Sequence, residues 1–211
     1  DCYGVSLIVA PRVRANAIAR EPEQYLQASG VICDSEWAAS SVLADYGVPS
    51  ERVHVVIGGG NVDAEAVARW DTTAVGRERS NTSGVRVAFV GKDWRRKGLA
   101  RLLRAARATQ QWGADVTVVV IGPRATDVSA ELRTVPNVEW AGFIDKEKQP
   151  ERFIDLLAAC DVGVLLSHAE AGGRSLREFV RLGLPTLAPQ IGGSPEFVID
   201  GATHLIPPDA P

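Results

Sequence analysis

A chain of 211 residues with 45% hydrophobic and 23% charged residues has ordinary globular makeup, enough to bury one substantial core or two small ones. Its net charge of −3 argues against a dedicated nucleic-acid binder, which carries a basic excess to displace counterions from the phosphate backbone. The longest apolar runs, such as Val116 to Ile121 and Val162 to Leu166, fall far short of the ~20 residues that a membrane-spanning helix needs.

Cys2, Cys33 and Cys160 are odd in number and widely spaced, without the CxxC or Cys/His spacing of a zinc or redox site, and read as free thiols in a reducing compartment. The start Asp1-Cys2-Tyr3-Gly4 has no basic region of the kind that opens a signal peptide. Methionine is absent throughout, position 1 included, so the chain is expected to be a piece of a longer protein.

Along the chain, Val31-Ile32-Cys33 reads as a strand. A helix follows, with apolar positions Trp37, Ala38, Val42, Leu43 and Tyr46, closed by Gly47. Arg52 to Ile57 alternates into a second strand that Gly58-Gly59-Gly60-Asn61 breaks. A short helix-forming stretch, Asp63 to Trp70, leads into a polar segment, and residues 64–84 are read as a linker. Within it Asn81-Thr82-Ser83 fits a glycosylation acceptor but reads as linker composition.

From residue 85 the pattern is regular. Strands at Val85 to Val90, Val116 to Ile121, Asn137 to Trp140, Val162 to Leu166 and Thr186 to Ala188 alternate with helices at Gly98 to Gln111, Glu151 to Ala159 and Ser175 to Leu182. Strands that are apolar along their length and alternate with helices predict an α/β fold with a parallel sheet covered on both faces. Ligands in such sheets bind at the carboxyl ends of the strands.

Two segments leave strand ends and open helices. In Val90-Gly91-Lys92-Asp93-Trp94-Arg95-Arg96-Lys97-Gly98, a helix amino terminus supplies N–H groups and a positive dipole, and Arg96 and Lys97 add charge-assisted bonds for an anion. A solvated basic turn is the other reading of this stretch. In Ser167-His168-Ala169-Glu170-Ala171-Gly172-Gly173-Arg174-Ser175-Leu176-Arg177-Glu178, Glu170 falls in the loop and Glu178 about one turn into the helix. Gly172 and Gly173 leave room for a ligand, and the N–H groups of Gly173 to Leu176 suit a diphosphate. Arg101, Arg104 and Arg107 read as a wet helix face, Lys146 and Lys148 as loop lysines, and His168 as a hydrogen-bonded structural histidine. Gly183-Leu184-Pro185 and Gly192-Gly193-Ser194-Pro195-Glu196 read as turn chemistry.

Taken together, Phe89 to Gly98, Val138 to Phe143, the Glu170 to Glu178 pair, Gly183 to Pro185 and Gly192 to Glu196 resemble, in order and spacing, the carboxyl-terminal domain of family-4 retaining glycosyltransferases of the GT-B fold. The resemblance implies a Rossmann-like parallel sheet in an incomplete enzyme. Residues 1–63 would end an amino-terminal, acceptor-side domain, 64–84 link, and 85–211 form a nucleotide-sugar-binding domain truncated at its carboxyl terminus. It further implies that Arg96 and Lys97 bind the donor diphosphate, with Lys92 where some members place arginine. Glu170 would hold donor sugar hydroxyls and Glu178 the ribose hydroxyls. Gly142, Phe143 and Ile144 would line the base pocket, and Gly91 with Gly172, Gly173, Arg174, Ser175 and Leu176 the phosphate and sugar. The two loops would face each other as opposed walls of one cleft. Ala171-Gly172-Gly173-Arg174 departs from the aromatic and single glycine that many members carry after the first glutamate.

The activity implied is transfer of a sugar from a nucleotide-diphosphate donor to an acceptor glycan or lipid-linked glycan, with no cofactor and no metal. The location implied is cytoplasmic, with the inner face of a membrane reached through the upstream half. The acceptor site and the family's histidine are expected upstream of Asp1, so these residues alone should bind donor without transferring sugar. The alternatives are a GT-B epimerase or phosphorylase, and a non-catalytic nucleotide- or partner-binding domain. A dinucleotide-binding dehydrogenase is disfavoured because Gly58 to Asp63 lacks the third glycine of GxGxxG.

Overall fold

The computed structural model describes residues 10–74 and 84–208. Cys2, Asn81-Thr82-Ser83 and much of the polar stretch read as a linker lie outside the described residues. In chain order the elements are helix α1 (Pro11–Gln27), strand β1 (Val31–Cys33), α2 (Glu36–Tyr46), β2 (Val53–Val55) and α3 (Ala64–Ala74). Then come β3 (Val85–Val90), α4 (Leu99–Gln111), β4 (Val116–Ile121), α5 (Ala130–Arg133), β5 (Val138–Gly142), α6 (Pro150–Ala158), β6 (Val162–Val164), α7 (Arg174–Arg181), β7 (Thr186–Pro189) and β8 (Thr203–Ile206).

Strands β1 and β2 form a small parallel pair around Cys33, Ala39, Val42 and Val48. Ser35 caps α2 by accepting from the Ala38 N–H, and Gly47, at φ +64, ends it with a left-handed turn that glycine enters without steric cost. The other six strands form one parallel sheet in the order β5-β4-β3-β6-β7-β8. Counted from its own first strand the order is 3-2-1-4-5-6, a doubly wound sheet whose direction of winding reverses between β3 and β6.

Alternation of side chains along the strands explains why the apolar runs are unbroken. Ala88 and Val90 of β3, with Val119 and Ile121 of β4, face a layer that holds Phe153, Leu157, Leu176 and Phe179 from α6 and α7. Val87, Phe89, Val118 and Val120 face the opposite layer, where Leu99, Leu102, Leu103 and Ala106 form the apolar stripe of α4. Gly163 in β6 lets α7 sit close, since a Cβ there would lie 2.4 Å from the Phe179 ring.

The first part of the expected linker is a packed helix. Asp63 accepts from the Ala66 N–H at 2.7 Å, and α3 buries Ala66 and Val67 in the same core as Val90, Phe153 and Phe179. Helices α1 and α5 and strand β8 are not among the elements expected from the sequence pattern. Among the described residues no helix is long and apolar enough to cross a membrane. Cys33 and Cys160 are buried free thiols, and burial pushes the Cys160 thiol up to about 12.

Candidate functional site

The carboxyl ends of β3 and β6, adjacent strands at the point of reversal, carry the two loops singled out from the sequence. They touch rather than face each other across a gap. His168 N–H donates to the Arg96 carbonyl at 2.8 Å, and Gly98, at φ +77, approaches so closely that a Cβ would lie 1.9 Å from the Leu166 carbonyl oxygen. At Gly91 a Cβ would crowd Lys97 Cγ at 2.8 Å, so glycine at the strand end lets the lysine fold back over it.

That lysine reaches Glu170. Lys97 Nζ donates to Glu170 Oε2 at 2.7 Å, Ser167 Oγ to the same oxygen at 3.1 Å, and Arg96 approaches it at 3.4 Å. The Gly173 N–H donates to Oε1 at 3.2 Å. Arg96 also binds the Ala169 carbonyl at 2.9 Å and the Asp93 carboxylate at 3.1 Å. Burial raises the Glu170 pKa, but the Lys97 charge and hydrogen bond, with Arg96 and Ser167, outweigh it and hold the carboxyl below its ordinary range. Burial pulls the Lys97 ammonium down while Glu170 opposes it. The loop is braced from outside by Gly192-Gly193. The Gly193 N–H donates to the Glu170 carbonyl at 3.0 Å, and a Cβ on Gly192 would lie 2.0 Å from that carbonyl. The stretch read as turn chemistry thus seats the glutamate.

Glu178 is buried to 1% exposure on α7, and Lys146, from the loop after β5, donates to its Oε1. Here desolvation outweighs the Lys146 charge, so the Glu178 carboxyl is raised. Ser175 Oγ donates to the Val90 carbonyl at 2.9 Å, pinning the start of α7 to the end of β3. A further contact joins α7 to the smaller sheet: Arg177 pairs with Asp34 and holds the Gly58 carbonyl, and the Arg177 hydrogen bond keeps the Asp34 carboxyl low.

These groups enclose a cavity of about 800 Å³. Its walls include Gly91, Lys92, Arg96, Lys97, Phe143, Ile144, Glu170, Gly172, Arg174, Ser175 and Glu178 of the expected set. Gly142, Gly173 and Leu176 stand behind the wall. Gly142, at φ +69, accepts from the Gly122 N–H, and Gly173 N–H is taken by Glu170. Leu176 is 1% exposed in the core and its N–H donates to the Gly173 carbonyl, a correction that leaves Arg174 and Ser175 as the N–H groups at the helix start without a bond among the described residues. The side chains of Lys92 and Arg174 are exposed on the cavity and form no ion pair among the described residues. Asp34, Asn61 and Lys146 also line it, and no local pattern marked them. His168 is exposed, and its bond to Arg96 is made by the backbone, not by the imidazole expected to be hydrogen-bonded. Among the described residues no group of three His, Cys, Asp or Glu side chains could hold a metal ion.

Residues 84–211, more than half of the chain, match the family model described as Glycosyl transferases group 1. Alpha-maltose-1-phosphate synthase of Mycolicibacterium smegmatis is 30% identical over 194 residues, covering 85% of this chain and 48% of that protein. D-inositol 3-phosphate glycosyltransferase of Gordonia bronchialis is 25% identical over 195 residues, covering 85% and 41%. Among solved structures, Anabaena HepE in complex with UDP superposes with a TM-score of 0.62 at 23% identity, over 86% of this chain and 50% of that one. The chain thus spans about half the length of the curated relatives it matches. By the family model and the doubly wound sheet together, the chain belongs to the glycosyl transferases group 1 family.

Proposed function

We propose that this chain is the donor-binding half of a retaining, metal-independent glycosyltransferase of family 4, taking a hexosyl group from a nucleotide-diphosphate sugar. Residues 1–63 end the acceptor-side domain and 85–211 hold the donor. The observation that carries the reading is the cluster of buried Lys97 and Glu170 with half-buried Arg96 at the switch point, opening on a cavity of about 800 Å³. That size lies within the ~300–1,000 Å³ of small-molecule sites. HepE, the Anabaena protein of the same fold, has been solved with UDP-glucose.

In this reading the diphosphate lies against Lys92, Arg96, Lys97 and Arg174 and the N–H groups of Arg174 and Ser175. Negative charge develops there as the bond to the sugar breaks, and fixed cations stabilise it without reorganising. Glu170 serves the sugar by its position, since its own oxygens already orient Lys97, Arg96 and the Gly173 N–H. Glu178 takes the ribose hydroxyls, and Phe143 and Ile144 flank the base. The acceptor is a glycan or lipid-linked glycan, handled by the remainder of the enzyme in the cytoplasm at the inner membrane face.

Calorimetry with UDP, GDP and their sugars tests this. The chain is expected to bind one nucleoside diphosphate and its sugar, without transferring the sugar. Binding of none overturns the reading in favour of a partner-binding domain, and sugar transfer by these residues alone overturns the assignment as a half.

A further inference from the structure

Lys146 stands in a loop of alternating charge, Asp145-Lys146-Glu147-Lys148, a pattern expected of a solvent-facing segment. Its neighbour Lys148 is solvent-facing, 80% exposed and 3.2 Å from Asp145. Lys146 instead turns inward, to 22% side-chain exposure, where its ammonium lies 4.2 Å from the centre of the Phe153 ring and donates to Glu178 Oε1. It is the sole hydrogen-bond donor to that carboxylate among the described residues, so Glu178 Oε2 has none. Both side chains line the cavity.

We propose that Lys146 is a nucleoside-selecting residue, its ammonium and the Glu178 carboxylate acting as one unit, donor beside acceptor, that grips the vicinal hydroxyls of a ribose. The proposal rests on the donor-binding reading above. An ammonium has three N–H bonds and no acceptor, and an ionised carboxylate accepts only. One hydroxyl of a diol can donate to Oε2 while the other accepts from a remaining ammonium N–H. A deoxyribose leaves one of these groups unmet, and sites built on hydrogen bonds discriminate strongly against ligands that lack the matching group.

The Lys146 charge also lowers the cost of ionising the acceptor half. The charges that face Glu178 are Lys146, in contact, with Lys97 and Arg174 acting on it as further positive charges. Burial already favours the protonated carboxyl, so loss of the contacting cation raises it further.

Calorimetry of the whole chain with UDP and GDP, each beside its 2′-deoxy counterpart, provides the test. The wild type is expected to favour the ribose form by about 10-fold or more. Lys146→Met should lower affinity for the ribose form by about 10-fold and bring the ribose-to-deoxyribose ratio near one. Lys146→Arg, which keeps a cation at that position, should restore the ribose preference. A folded Lys146→Met chain with the wild-type ribose-to-deoxyribose ratio overturns the proposal. If that variant does not fold, Lys146→Met combined with Glu178→Gln leaves no lone buried charge. A ribose preference retained in the double variant then overturns it. A wild type that binds neither nucleotide overturns the donor-binding reading itself, an outcome separate from the behaviour of the variants.

Discussion

Glu170 and Glu178 leave one loop and helix, are both buried, and are driven in opposite directions. Glu170 receives Lys97, Ser167, Arg96 and a backbone N–H and is held ionised below its ordinary range. Glu178 receives Lys146, and its carboxyl is raised. Depth alone therefore does not set the charge of a carboxylate. The number of donors aimed at it does, and the poorly supplied one has capacity left for a ligand.

Removing the supply at the well-supplied corner should have the largest effect. Lys97→Met leaves the Glu170 carboxylate short of its closest donor, and thermal unfolding should report a loss of about 3–5 kcal/mol, the usual result of breaking a buried pair. A somewhat smaller loss is expected for Gly192→Ala, about 2–4 kcal/mol, from a left-handed alanine and a Cβ driven into the Glu170 carbonyl. Nucleotide affinity should fall with it in calorimetry, because the displaced loop carries the cations' anchor.

The two glutamates should also leave opposite marks on stability as pH changes. The folded pKa of Glu170 lies below its unfolded value, near the ordinary 4.5, so its contribution is full above that value and lost as pH falls through the folded one. The folded pKa of Glu178 lies above 4.5, so its cost is absent below that value and appears as pH rises through the raised one. Melting curves against pH should show Glu170→Gln removing an acid-side loss and Glu178→Gln removing a decline at higher pH. Equal slopes in the two variants would erase the contrast. The smallest effect belongs to an exposed pair on the surface. Arg104 and Glu131, 62% and 58% exposed, should yield under ~0.5 kcal/mol on Arg104→Gln, and less in salt.

The better-supplied corner was also the more legible one. Glu170, Arg96 and Lys97 sit where a strand ends and a helix begins, and the unbroken apolar runs of β3 and β4 announced a sheet buried on both faces. Leu176 misled because its place at a helix start suggested a phosphate, whereas Phe179 one turn on shows the same face turned to the core. Lys146 was hidden by its charged neighbours and by a partner 32 positions away. Asp34 and Arg177 are 143 positions apart, and nothing local to either names the other. Helix α3 was legible as a helix, but its burial against α6 and α7 comes from tertiary contacts that a polar continuation masked.

Glu196, at the end of the glycine turn that seats Glu170, grips the start of α2 in a particular way. Its two carboxylate oxygens accept from the backbone N–H groups of Glu36 and Trp37, each at 2.7 Å. The grip is indifferent to the side chains it holds. Positions 36 and 37 can therefore drift through nearly any residue that keeps an N–H, proline being the exception, while position 196 tolerates little. Across a saturation library this joint would be written in one position out of three, and a comparison that looked for paired changes would find none.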